Sequence, residues 1–322
     1  TGRPTLGVLP YVEDLWLDVE DSLALDAPRP ETQPAGGGDT LDVAVVRLRW
    51  MSNFTDLDAL AAEPGVRVRF TRSAADVQRA DLVVLPGTKA TVEDLRRVRA
   101  DRLDRALAAR AAAGGPILGI CGGYQMLGTR IHDEIESRQG AVEGLGLLPV
   151  ATTFAADKLL RRRSGRCPWL DAPAGGYEIR HGRVARDDGP GHGGGAADGG
   201  HGPGDGHGDG DGDGDGGDDG LFLAEDGERD GARAGSVLGT SWHGALEHDE
   251  LRRALLAWVA ARRGRRFVPG GAPFATMREA RLDTLGDLVE RHLDTSALAA
   301  LIEGGVPAEL PSIATEVRAC VG

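Results

Sequence analysis

Lysine is almost missing from this chain: Lys89 and Lys158 are the only two among 37 basic residues. An arginine bias of this kind reflects base composition and by itself points to no chemistry. Cysteine is scarce too. Cys121, Cys167 and Cys320 are scattered, which excludes a disulfide framework, and no pair has the spacing of a zinc site. No metal is expected, and a reducing, cytoplasmic setting is the simplest reading. No apolar run is long enough to span a bilayer and no signal peptide is seen, so no membrane partner is expected. The phosphate-binding pattern G-x-x-x-x-G-K-[ST] occurs nowhere. Positive charge is in deficit, with a net charge of −13. Ten aspartates lie in the single run 187–220, which has no lysine or arginine, and outside it the charges nearly balance. No nucleic-acid footprint follows.

What is present is enough for one large or two ordinary domains: 322 residues, 41% of them hydrophobic. The opening "TLGVLPYVEDLWLDVEDSLAL" reads as a strand end and a short helix. A Pro/Gly-rich stretch, "APRPETQPAGGGD", then marks a boundary. From Leu41 the pattern alternates. "LDVAVVRL", "VRVRFT", "DLVVLPG" and "PILGIC" are strands. "NFTDLDALAAE", "AADVQRA", "TVEDLRRVRADRLDRALAARAAAGG" and "GGYQMLGTRI" are helical, the first with a cap expected at Asn53 or Thr55. Such alternation predicts an α/β fold with a doubly wound, mostly parallel sheet, whose strand carboxyl ends collect function. After Gly146 the pattern loosens into "LGLLPVATTFA" and "GGYEIRHGRVA", both strand-like. Half of the run 187–220 is glycine, so it cannot bury a core, and a disordered insert is expected there. "SVLGTSWHGAL" and "HDELRRALLAWVAARRG" follow as strand and amphipathic helix, and helical periodicity returns from Met277 to Ile302. The expected divisions are 1–28, a linker over 29–40, a main domain over 41–268 and a C-terminal helical extension over 269–322.

The stretch "PILGICGGYQMLG" sets Cys121 between a strand and a helix, with glycine packed around it. There the free N–H groups of a helix N-terminus favour the thiolate. Gly119, Gly122 and Gly123 suit a tight nucleophile-bearing bend. A structural cysteine at a crowded turn is the other, less favoured reading of the pattern. A nucleophile needs a base, and His243 in "GTSWHG" sits in a loop between a strand and a helix. An oxyanion needs donors, for which the N–H groups of Gly87 in "LPGTKAT" and of Gly122 are candidates. Gln125, one helical turn past Cys121, could hold a polar substrate or be an ordinary helical glutamine. His192, His201 and His207 lie in glycine without rigid spacing and read as solvated loop.

Together these pieces resemble class I glutamine amidotransferases. Within that family, "SNFTDLDAL", "LVVLPGTKATVEDL", "GICGGYQMLG", "EGLGLLPVATTF", "GGYEIRHGRV" and "GTSWHG" occur in the order seen in its cobyric acid synthase branch. The resemblance covers roughly 1–186 and 221–300, and "SNFTD" is its discriminating block. It implies a class I amidotransferase fold, glutamine as substrate, Cys121 as nucleophile, His243 as base and Gly87 as oxyanion-strand glycine. It also implies Gln125 as a glutamine contact and, more loosely, Tyr177, Glu178 and His181 as pocket lining. In that branch ammonia goes to peripheral carboxylates of a corrinoid, adenosylcobyrinic acid a,c-diamide. ATP and Mg²⁺ would act on an N-terminal synthetase domain of which 1–28 resembles only the end. No cofactor is expected in this chain itself. One departure from the class stands out. The position two residues after the histidine, usually a glutamate that orients the ring, is Ala245, as the branch itself resembles, and Glu247 is only near in sequence. Two other readings remain open: a glutaminase subunit serving another ligase, such as one acting on cobyrinic acid or a peptidoglycan precursor, and a non-catalytic module of the same fold.

Overall fold

A computed structural model describes residues 5–12, 33–53, 55–187 and 220–305. The helix expected near the start, most of the glycine-rich run, and Cys320 fall outside them. The chain separates into two compact units, Asp18–Phe274 and a smaller one of Thr1–Leu17 with Ala275–Gly322.

The larger unit is built on two sheets. The first contains β1 (Leu41–Val46), β2 (Val66–Thr71), β3 (Leu82–Leu85) and β4 (Ile117–Ile120), which are parallel neighbours in the order β4-β3-β1-β2. β1, β3 and β4 are short, mainly apolar runs because both faces are covered, whereas the edge strand β2 alternates apolar residues with Arg67 and Arg69. Val43, Ala44, Val45, all of β3 and Ile117 are fully buried. Their connections are α1 (Thr55–Ala62), α2 (Ala74–Arg79), α3 (Thr91–Ala100) and α4 (Leu103–Ala112). The helical stretch after β3, which the sequence leaves as one helix or two, is two because Arg102 takes a left-handed backbone, φ 59°. After β4 comes α5 (Gly122–Leu127). It is shorter than its pattern suggested, since "TRI" enters a strand.

That strand begins a second sheet not foreseen as a separate layer. It holds β5 (Arg130–Asp133), β6 (Gly140–Glu143), β7 (Val150–Cys167), β8 (Ala172–Arg186), β9 (Phe222–Ala224) and β10 (Arg229–Asp230). All its pairings are antiparallel except β5 with β7. Polar "DKLLRRRSGR" concealed the length of β7, which continues as a long ribbon with β8. The chain then returns to the first sheet. There β11 (Ala232–Ala234) pairs antiparallel with β12 (Val237–Thr240), and β12 lies parallel to β4. Helix α6 (Asp249–Arg262) follows.

The first sheet runs outward in both directions from the β1–β3 pair, with β2 on one side and β4 and β12 on the other. That reversal is the topological switch point, where such sheets open a crevice beyond their carboxyl ends. The smaller unit holds most of α7 (Phe274–His292) and α8 (Thr295–Gly304), with Asp294 capping α8 through Ala297 N. In it the Leu6 carbonyl accepts from Asp294 N at 2.6 Å.

Candidate active site

Four strand ends deliver the crevice residues: Asn53 after β1, Gly87 after β3, Cys121 after β4 and His243 after β12. Asp94 of α3, almost fully buried, ties two of these loops. Its carboxylate accepts from Arg49 N (2.8 Å), Trp50 N (3.1 Å) and Thr88 Oγ1 (2.5 Å).

Cys121 lies at φ 49° and ψ −107°, a strained conformation for a residue with a Cβ. Its N–H donates to Thr240 O at 2.8 Å and its carbonyl accepts from Gln125 N at 3.0 Å, so both sides of the bend are pinned. The surrounding glycines answer to close approach. A Cβ on Gly123 would stand 2.0 Å from Leu85 O, and one on Gly122 would stand 2.6 Å from Thr88 Cγ2. The bend therefore fits only because α5 begins with glycine.

His243 is 1% exposed, and its backbone exchanges two hydrogen bonds with Tyr177 (2.9 and 2.8 Å). The Tyr177 ring stacks on the imidazole with centroids 5.4 Å apart. Nδ1 lies 2.7 Å from Asp56 Oδ2, and the other Asp56 oxygen accepts from Gly244 N. Nε2 lies 3.2 Å from Asn53 Nδ2, an amide contact that suits a neutral ring. Half a turn of that amide presents its oxygen instead, as an imidazolium requires. Burial opposes charge on the ring, but the Asp56 carboxylate and the Cys121 sulfur overcome it and push His243 up to about 10.

Gly87 packs directly on this ring: a Cβ there would stand 2.9 Å from His243 Cε1. Among the described residues neither the Gly87 nor the Gly122 N–H donates a hydrogen bond, so both remain available to an oxyanion. Gln125 is 2% exposed, accepts from Thr91 Oγ1 at 3.3 Å, and lines the crevice. The cavity measures about 230 Å³, and its walls include Asn53, Cys121, Gly122, Gln125, His181 and His243.

The "GYEIRHG" residues separate. His181 reaches the cavity, but Tyr177 and Glu178 are not among its lining residues. Tyr177 backs the imidazole. Glu178, wholly buried, instead gathers Arg161 (2.6 Å), Arg163 (2.7 Å) and Arg180 (2.5 Å). It acts on the cavity through Arg180, which does line it.

Two site residues escaped sequence reasoning, Asn53 and Asp56, both in "SNFTD". The missing carboxylate at Ala245 signalled that the ring must be oriented from elsewhere, and that block was the place to look. Asn53, a cap candidate by sequence, has φ 54° and turns its side chain to His243 instead.

A cysteine on a strained strand-to-helix bend, a buried histidine beside it and a carboxylate on the far ring nitrogen form the arrangement of a thiol nucleophile, base and orienting acid. Comparison with known proteins narrows the class. The pattern of the CobB/CobQ-like glutamine amidotransferase domain matches residues 42–251, and the chain belongs to that family. It is 48% identical over 337 residues to a cobyric acid synthase of Frankia casuarinae, covering 97% of this chain and 58% of that protein. Cobyric acid synthases of Rhodococcus jostii (46% identity, 98% and 56% covered) and Streptomyces avermitilis (48%, 97% and 56%) are similar to it as well. The chain thus spans little more than half the length of these relatives. A solved glutamine amidotransferase structure aligns with a TM-score of 0.47 at 18% identity, covering 68% of this chain and 98% of that one.

Proposed function

We propose that this chain is the glutamine-hydrolysing half of a cobyric acid synthase. The observation that carries the reading is the Asp56–His243–Cys121 array, of which His243 and Cys121 line a cavity sized for a small amino acid. The 46–48% identity to cobyric acid synthases supports the choice of acceptor.

In this reading the Cys121 sulfur, as thiolate, attacks Cδ of glutamine. The oxyanion faces the N–H groups of Gly87 and Gly122. His243, charged at the outset, gives its proton to the departing nitrogen as the C–N bond breaks, releasing ammonia and leaving a γ-glutamyl thioester. The now neutral ring takes a proton from water. The hydroxide adds to the thioester, the C–S bond breaks, and glutamate leaves with the thiolate restored. Asp56 holds the ring in position throughout.

Ammonia then serves amidation of peripheral corrinoid carboxylates, as the cobyric acid synthase resemblance implies. ATP and Mg²⁺ would act on the N-terminal synthetase portion that the resemblance implies, and no step in this site runs through them. No helix among the described residues is long and apolar enough to cross a membrane. A thiol nucleophile suits the reducing cytoplasm, where we place the protein.

The test is ammonia release from glutamine by this chain, with Cys121→Ser and His243→Ala alongside. Release that both substitutions abolish supports the reading. Full activity in Cys121→Ser would overturn it. If the parent is silent, the assay is repeated with the synthetase half of a relative supplied in trans, and continued silence counts against the reading.

A further inference from the structure

The two sheets contribute differently to the cavity. Asn53, Cys121, Gly122 and His243 come from the ends of the first sheet. The second sheet supplies Glu136 from the β5–β6 loop, Lys158 from β7, and Arg180 and His181 from β8, while Lys89 comes from the loop after β3. Glu136 is the only carboxylate among the lining residues, and both lysines of the whole chain are among them. A chain that uses arginine at every other basic position keeps the ammonium here. The two groups are not interchangeable, since an ammonium is a compact point charge and a guanidinium a planar fork.

Both charged groups stand on built supports. Four residues of β7, 155–158, face the single residue His181 of β8, a bulge that re-aims the strand beside the cavity. The bulge is held by His181 Nδ1 at 3.1 Å from Ala155 O and by Arg183 Nη2 donating to Asp157 O at 2.9 Å. Lys158 ends this bulge and forms no hydrogen bond or ion pair with any described residue. Glu136 lies in a turn that the fully buried Asp133 organises by accepting from the N–H groups of Ile135 (3.0 Å), Glu136 (2.8 Å) and Ser137 (2.9 Å). Burial raises the Glu136 carboxyl, Asp133 and Glu93 add to the rise, and His181 and Lys158 oppose it without reversing it. Of the other two cavity cations, Arg180 is committed, giving Nε and Nη2 to Glu178 and Nη1 to Gly182 O, and Lys89 stands on the loop after β3 instead of on the second sheet.

Resting on the hydrolytic reading above, we infer that Glu136 and Lys158 form a clamp for the amino-acid head of the substrate. Glu136 accepts from the α-ammonium and Lys158 donates to the α-carboxylate. The side-chain amide then extends toward Cys121. The pair restricts the site to a free α-amino acid amide, against simple amides and against glutamine within a peptide.

The test uses the Cys121→Ser chain, so that binding is read without turnover. Three ligands are titrated by calorimetry: L-glutamine, glutaramate (no α-amino group) and 4-aminobutanamide (no α-carboxylate). Glu136→Gln is expected to weaken L-glutamine and 4-aminobutanamide by about 30-fold or more and to leave glutaramate unchanged. Lys158→Met is expected to weaken L-glutamine and glutaramate by a similar factor and spare 4-aminobutanamide. Equal weakening of all three ligands would show a structural role and overturn the clamp, as would no weakening at all. A head-group effect in Lys89→Met but not in Lys158→Met would overturn the assignment to Lys158. Failure of the Cys121→Ser chain to bind any of the three also defeats it. Ammonia release by the parent is scored separately. If the ligand pattern holds while the parent releases no ammonia, alone or with the synthetase half of a relative supplied in trans, the clamp stands and the hydrolytic reading falls.

Discussion

Asp56 and His243 are separated by 187 positions in the chain and by 2.7 Å between carboxylate and imidazole. Helix α1 supplies the acid that the loop after the histidine, with Ala245, does not. We expect Asp56→Asn to lower kcat for ammonia release by about 10²–10⁴-fold, because the ring loses both its orientation and its counter-charge. The His243 titration followed by NMR should fall in parallel from about 10 toward the ordinary 6.5. An unchanged midpoint would mean that Asp56 does not govern the ring.

The same raised value makes folding depend on pH in a defined window. The folded chain holds the His243 proton more tightly than the unfolded one. That contribution is complete below about pH 6.5 and is lost as pH rises through about 10. Urea unfolding at pH 6 and pH 10 should show a larger drop for the parent than for His243→Gln. Equal drops would place the proton elsewhere.

Glu178 is surrounded by guanidinium groups, of which Arg163 and Arg180 have side chains only 4% and 9% exposed. Glu178→Gln leaves these charges without their shared partner. The expected loss is about 3 kcal/mol in urea unfolding, and a change within about 0.5 kcal/mol would show that Asp226 and Glu228 suffice. Loosened Arg180 should also raise KM for glutamine.

Gly123→Ala forces a Cβ against the Leu85 carbonyl, a backbone atom that cannot rotate away. We expect a loss of about 1–3 kcal/mol in stability together with loss of activity. Gly286→Ala, in α7 with nothing within 4 Å, provides the opposite case and should gain about 0.5–1 kcal/mol. Thermal melts of the two variants moving in the same direction would contradict this account of the bend.

Much of the first sheet was legible because its strands are short and either apolar or alternating, and most are punctuated by glycine or proline. "VRVRFT" and "AADVQRA" correspond closely to β2 and α2. Cys121 and His243 were readable for a related reason, since each stands at the end of a buried strand. The second sheet was not legible as a layer. Its ribbon carries arginine on exposed and buried positions alike, and the partners that neutralise Arg161 and Arg163 lie as far away as Glu228. Asp56 was hidden by similar logic. Read locally, it is an acidic residue in the first turn of a helix, and only tertiary placement turns it toward an imidazole.

The backbone of Cys121 has a consequence for the life of the protein. At φ 49° and ψ −107° a glycine would rest more comfortably, and Cys121→Gly should gain about 1–2 kcal/mol in stability while losing all reactivity. Drift toward durability therefore runs against usefulness at this position. An equilibrium unfolding curve for that variant would measure how much robustness the chain gives up to keep its sulfur exposed to an amide.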